Sequence, residues 1–268
     1  MRPLRTPKEL LPIAFLDDPA TGAVRPMLAA EYSLIAMHEA GIRRCLMVVS
    51  DNKPELLRYF GDGTELGLTI AYVNQPRPLG LASAVAAAIQ WTGGCNVCLA
   101  LPDSIFEPRG ALSAINEALT QLRADVVLAV FPTAHPCELG PVRADGYGRV
   151  IEVLEKPARP TVQNTWGAAA WTPKFNVFLR RSVGVSDGIS IGVLFHQAVV
   201  AGLDVRAVNF PDGNYVDLGT GKNIAVMLFG ERIGKNGRKE ALVLSAGRSS
   251  VGQSSHRSPN RPRASSTG

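Results

Sequence analysis

An α/β fold, a mixed and mostly parallel sheet with helices on both faces, is predicted by three observations. Apolar runs rich in β-branched residues alternate with segments of helical period. Glycines punctuate the junctions, as at Gly41 and Gly93-Gly94. At 268 residues and 46% hydrophobic, the chain is long enough to bury a full core.

In order, residues 26–41 read as a helix closed by Gly41, and 45–49 as a buried strand. Residues 54–60 form a short helix and 68–73 the next strand. An alanine-rich helix over 81–91 leads through Gly93-Gly94 into a strand at 97–101. A helix at 110–122 and a strand at 125–131 finish the first half. The second half is less regular, with a turn at Asp145-Gly146, strands at 149–154 and 165–171, a helix at 191–200, and strands at 203–210 and 215–217. These elements define one domain over residues 1–230. Residues 231–268 are rich in Ser, Arg, Gly and Pro, a composition that buries too little apolar area to offset its ordering entropy and is expected to be disordered.

The net charge of +5 is concentrated in that tail. Residues 231–268 hold eight Arg or Lys and two Glu, a net of +6, so residues 1–230 carry −1. The body has no interleaved basic and aromatic stripe, which argues against a nucleic-acid partner there; binding through the tail would show as salt-sensitive affinity lost on its removal. Cys45, Cys95, Cys98 and Cys137 are too scattered for a disulfide framework, and Cys95-x-x-Cys98 lacks a second pair or a histidine cluster. The pair reads as two small residues of a buried strand. With no apolar run of about 18 residues and no signal-peptide pattern, the expected setting is the cytoplasm, without a membrane partner.

Five motifs carry the chemistry: Thr6-Pro7-Lys8-Glu9-Leu10-Leu11-Pro12, the stretch from Gln75 to Ala82, Leu101-Pro102-Asp103, Glu155-Lys156-Pro157, and Val216-Asp217-Leu218-Gly219-Thr220. Asp103 and Asp217 each end a strand-like run, where a carboxylate reaches a ligand in the crevice beyond the sheet, and magnesium takes a few carboxylates plus substrate phosphates. Each aspartate alone reads equally as a helix cap or turn residue. Lys8, fixed between Pro7 and an apolar run, suits a developing phosphate charge. Gln75 is an amide able to read a base edge, and Gly80 lets backbone approach a ligand, although a plain strand-to-helix turn also accounts for both. Glu155-Lys156 suits a sugar hydroxyl and a phosphate, or is an exposed ion pair of little worth. The four histidines have no ligand spacing, and no serine or cysteine nucleophile stands out.

Assembled, these motifs resemble the sugar-phosphate nucleotidylyltransferases, and most closely the glucose-1-phosphate thymidylyltransferase branch. Gly61-Asp62-Gly63-Thr64, Gly67-Leu68, Ile70-Ala71-Tyr72 and Leu139-Gly140 extend the similarity through nearly all of residues 1–230. The resemblance implies a Rossmann-like (GT-A-like) nucleotidyltransferase domain that joins a nucleoside triphosphate, dTTP, to glucose 1-phosphate, releasing pyrophosphate. It implies that Lys8 neutralises the α-phosphate region and that Asp103 and Asp217 hold Mg2+. Gln75, Gly80 and Leu81 would contact the nucleotide; Gly140, Glu155, Lys156 and Gly167 would surround the sugar phosphate. Association into a homo-oligomer is compatible with the sequence.

Pro102 before Asp103 also resembles the uridylyltransferase relatives, which makes UTP the alternative substrate. Family members open with a strand and a glycine-rich loop ending Gly-x-Gly-Thr-Arg or Gly-x-Gly-Ser-Arg, and neither precedes Thr6-Pro7-Lys8 here. The expectation is an upstream start, with Met1 an internal methionine, visible as an in-frame Gly-x-Gly-x-Arg in the encoding DNA; the alternative is a fragment, and an upstream stop codon would reject the first reading. The other reading is a non-catalytic sugar-nucleotide-binding paralogue.

Overall fold

The structure, a computed structural model, describes residues 6–17, 22–77, 79–183 and 188–219, with the backbone of Arg232–Ile233 and Lys239–Glu240. A single 3-10 turn at Lys8–Leu10 leads into β1 (Pro12–Asp17), which pairs antiparallel with β2 (Val24–Leu28). Then come α1 (Ala29–Glu39), β3 (Arg44–Val49), α2 (Pro54–Phe60), β4 (Thr69–Asn74), α3 (Leu81–Ile89), β5 (Val97–Ala100), β6 (Ser104–Glu107), α4 (Ala111–Gln121) and β7 (Val126–Pro132). The second half holds β8 (Val142–Ala144), β9 (Val150–Val153), β10 (Asn164–Trp171), α5 (Pro173–Val183), α6 (Ile191–Val200), β11 (Val205–Asn209) and β12 (Asn214–Asp217).

The central sheet runs β11-β7-β10-β5. β7 and β11 are parallel, and β10 runs antiparallel to both β7 and β5, so among these four only β10 is reversed. β3 and β4 form a separate parallel pair. The α/β class is as expected, and the sheet is mixed.

Alternation along the strands builds two cores. Val127, Ala129 and Phe131 of β7 and Ala168 and Ala170 of β10 face the side covered by α1 and α4, where Leu34, Leu112 and Ile115 pack. Val126, Leu128 and Val130, with Ala169 and Trp171, face α3, α5 and α6 through Val85, Leu179, Leu194 and Phe195. Trp171 is fully buried, edge-on to Phe175, and its indole N–H donates to Asn176 Oδ1 at 2.7 Å, so its one polar atom is satisfied.

Two expectations are corrected. The helix expected from residue 26 starts at Ala29, because Arg25 to Leu28 are taken up in pairing with β1 and the Leu28 N–H is held by Glu31 Oε2 at 2.7 Å. Cys95 is not a strand residue: it is exposed in the turn before β5, which contains Cys98. In the basic tail, β13 (Arg232–Ile233) pairs with β14 (Lys239–Glu240). The expected disorder of the remaining tail lies outside the described residues.

Candidate active site

Lys8, Asp103 and Asp217 meet beyond the end of β5. Lys8 sits in the 3-10 turn after Pro7, and that turn is tied to α1 by the Ala29 N–H donating to Leu11 O at 2.9 Å. Beside it, Glu9 is buried and takes Lys53 Nζ at 2.6 Å, which fixes the loop from a second side. Asp103 lies in the turn joining β5 to β6, and Asp217 ends β12, directly opposite Ser104 in the antiparallel β6–β12 ladder. The Leu218 N–H donates to Asp103 O at 2.8 Å, so the two acidic segments are stitched together by backbone.

The Lys8 ammonium forms an ion pair with the Asp103 carboxylate. Burial alone would lower the Lys8 pKa, but the bond and charge of Asp103, with the charges of Asp217 and Glu9, outweigh it and raise the value above 10.5. Lys8 therefore remains a cation at neutral pH. Because its folded pKa is raised, the pair's contribution to stability is complete below pH 10.5 and is lost as pH rises through the higher folded value. The melting-temperature gap between the native chain and Lys8→Met should thus be constant from neutral pH to 10.5 and narrow above it.

The Asp217 carboxylate accepts the Gly219 N–H at 2.7 Å. A Cβ on Gly219 would stand 2.8 Å from Asp217 Oδ1, so any side chain there displaces the carboxylate. Behind the aspartates, Ser104 Oγ and Tyr215 Oη lie 2.9 Å apart, and burial, opposed by the Ser104 bond, keeps the phenol well above its ordinary pKa. The Tyr215 ring packs on Gly167, where a Cβ would come within 2.6 Å of it, and beside Phe131. Gly167 occupies a register shift of β10 between Trp166 and Ala168. What the structure assigns to this glycine is room for Tyr215.

The other side of that shift builds a second cluster. The Trp166 N–H donates to Gly140 O at 3.0 Å, and a Cβ on Gly140 would overlap the Trp166 indole at 2.3 Å. The Lys156 N–H donates to Leu139 O at 2.9 Å, with Lys156 in the left-handed region at φ 44. Glu155 Oε2 lies 2.6 Å from the point where a Cβ on Gly192 would stand, in the first turn of α6. Gly140, Glu155 and Lys156 are therefore neighbours, and Gly167 links them through Tyr215 to Asp103 and Asp217.

Gln75 follows β4, with its backbone N–H bonded to Val49 O at 2.7 Å; its side-chain Nε2 is buried with no hydrogen-bond partner among the described residues. An orphaned buried amide suits a ligand acceptor. Gly80 caps α3 at φ 89, a conformation glycine adopts freely, and nothing lies within 4 Å of where its Cβ would be, leaving open space ahead of Leu81.

Sequence reasoning missed Trp166, Gly192, Tyr215 and Ser104 as neighbours of the site. Strand alternation carried the signal for Tyr215, which shares a face with Asp217 two residues on. Trp166 and Gly192 had no such local signal.

The fold is one that solved nucleotidyltransferases share. The nucleotidyl transferase family model matches residues 19–226, and the chain belongs to that family. It is 33% identical over 137 residues to the glucose-1-phosphate thymidylyltransferase of Neisseria meningitidis, covering 51% of this chain and 46% of that protein. Against the enzyme of the same name from Xanthomonas campestris the identity is 32% over 137 residues, 51% of this chain and 45% of that one. The chain thus spans about half the length of the curated relatives it matches. Among solved structures, a Bacillus anthracis glucose-1-phosphate thymidylyltransferase candidate in complex with sucrose superposes with a TM-score of 0.72 at 17% identity, over 83% of this chain and 85% of that one. A UDP-glucose pyrophosphorylase complexed with UDP-glucose gives 0.67 at 18%, over 82% and 88%. These likenesses establish the fold. Among the described residues no helix is long and apolar enough to cross a membrane.

Proposed function

We propose that this chain transfers a nucleotidyl group from dTTP to glucose 1-phosphate, yielding dTDP-glucose and pyrophosphate. The observation that carries the reading is the convergence of Lys8, Asp103 and Asp217 beyond one end of the sheet. A phosphate oxygen of the sugar 1-phosphate attacks the α-phosphorus. The new P–O bond forms as the bond to the bridging oxygen breaks, and pyrophosphate leaves. Little covalent work falls to the protein; positioning and charge neutralisation dominate.

Lys8, held protonated between carboxylates, meets the α-phosphate charge. Asp103 and Asp217 fit Mg2+ as a two-carboxylate donor set. Magnesium takes a few carboxylates together with substrate phosphates, so Asp103 and Asp217 would hold it jointly with the triphosphate. When bound, Mg2+ supplies neutralisation of the triphosphate charge. The buried Gln75 amide reads the base, and Gly80 and Leu81 open α3 toward the nucleotide. Gly140, Glu155 and Lys156 receive the sugar phosphate, and Gly167 sets the strand between the two groups. A cytoplasmic setting goes with these substrates.

Pyrophosphate release from glucose 1-phosphate with dTTP, UTP and CTP tests the reading. The fastest turnover is expected with dTTP. A preference for UTP transfers the assignment to the uridylyl branch, and nucleotide-sugar binding by calorimetry without turnover would make the chain a binding paralogue.

A further inference from the structure

Trp166 stands inside the second cluster with an unused hydrogen-bond donor. Its ring lies edge-on to Phe195 of α6 at 5.4 Å, and its backbone N–H holds Gly140 O, so the side chain is fixed from both ends. The residue is buried, yet its indole nitrogen has no acceptor among the described residues. The side-chain polar atoms there that are both buried and unpaired are Glu9 Oε2, Gln75 Nε2 and His196 Nδ1. Trp166 Nε1 is not one of them, so the small part of this ring that stays accessible includes its donor. Trp171, by contrast, is fully buried and spends its N–H on Asn176.

Glu155 supplies the acceptor opposite. The point where a Cβ on Gly192 would stand is 3.6 Å from Trp166 Nε1 and 2.6 Å from Glu155 Oε2, which puts nitrogen and oxygen no more than about two hydrogen-bond lengths apart. A side chain at Gly192 would fill that gap, and one at Gly140 would overlap the indole. The two glycines thus keep side chains out of the space around the pair. An indole N–H only donates and a carboxylate only accepts. A single group between them must accept from the first and donate to the second; a hydroxyl does both, a carbonyl cannot donate and an ammonium cannot accept.

Resting on the sugar-phosphate reading above, we propose that Trp166 is a specificity-determining residue, whose indole N–H donates to one hydroxyl of the sugar while that hydroxyl donates to Glu155. A sugar with a keto group, an ammonium or bare hydrogen at that carbon loses at least one of the two bonds. Calorimetry tests this with glucose 1-phosphate and each of its monodeoxy analogues, in the presence of α,β-methylene dTTP so that nothing reacts. Trp166→Phe keeps a ring against Phe195 and removes the donor, and it should weaken glucose 1-phosphate by about 5- to 10-fold. One deoxy analogue, already weak with the native chain, should bind the variant as it binds the native chain, because the bond is gone in both. Equal weakening of every ligand, or of none, overturns the proposal. If the native chain binds none of them, the sugar-phosphate reading itself fails and takes the proposal with it. Should Trp166→Phe fail to fold, the indole N–H resonance of Trp166 in the nitrogen-labelled native chain decides. It is assigned by elimination, since the exposed Trp91 signal vanishes in Trp91→Phe and the Trp171 proton, bonded to Asn176, exchanges slowly. That resonance should move with glucose 1-phosphate and stay in place with one deoxy analogue; a resonance indifferent to glucose 1-phosphate, or moved alike by every analogue, overturns the assignment.

Discussion

Asp217→Asn is expected to lower pyrophosphate release by roughly 100- to 1,000-fold, taking as guide the range for removing one preorganised group that stabilises transition-state charge. The variant keeps the volume of the side chain and an acceptor oxygen for the Gly219 N–H, so the β6–β12 ladder should hold. Asp103→Asn should cost as much turnover and should also free Lys8 from its carboxylate partner. Because the three groups act as a unit, the double variant should be little worse than either single one. Steady-state rates across a magnesium titration, with circular dichroism to verify folding, make the measurement. Native-like turnover in both single variants would remove the two aspartates from the mechanism.

Gly167→Val should both destabilise the fold and impair the site. Its Cβ would overlap the Tyr215 ring at 2.6 Å and press on Phe131 at 3.0 Å, inside a packed aromatic group that includes Phe210 at 5.1 Å from Phe131. Overpacking of this kind costs about 1–3 kcal/mol. Relief by moving Tyr215 displaces β12, which ends in Asp217, so turnover should fall as the melting temperature does. Tyr215→Ala opens the space, and combining the two should recover part of the lost stability, read as a coupling energy in a double-mutant cycle. Tyr215→Phe keeps the ring and loses only the Ser104 contact, worth about 1 kcal/mol.

Much of the fold is legible in local signals. Helix α2 begins at Pro54, suited to a first helical position, and α6 follows Ser190, whose hydroxyl accepts the Val193 N–H; both match their expected ranges residue for residue. β7 and β10 are legible as long apolar runs. β6 is not, because Ser-Ile-Phe-Glu is four residues long and half polar, and its strand character comes from its distant partner β12. Helix α5 hides behind Lys174, Asn176, Arg180 and Arg181, though Phe175 and Leu179 bury its inner face. At the site, the motifs point to Lys8, Asp103 and Asp217 singly. Their meeting depends on pairing between segments far apart in sequence, which no local pattern encodes. The same is true of Gly167, whose need for a bare Cα arises only once Tyr215 is folded over it.

The stitching of Asp103 to Leu218 also sets a timetable for biogenesis. Lys8 leaves the ribosome well ahead of Asp217, and its counter-charges are complete only once β12 has been synthesised, so local helices and the early strand pair precede the assembled cluster. A nascent polypeptide cut short anywhere before Asp217 would carry much of the hydrophobic interior and an incomplete Lys8–Asp103–Asp217 cluster.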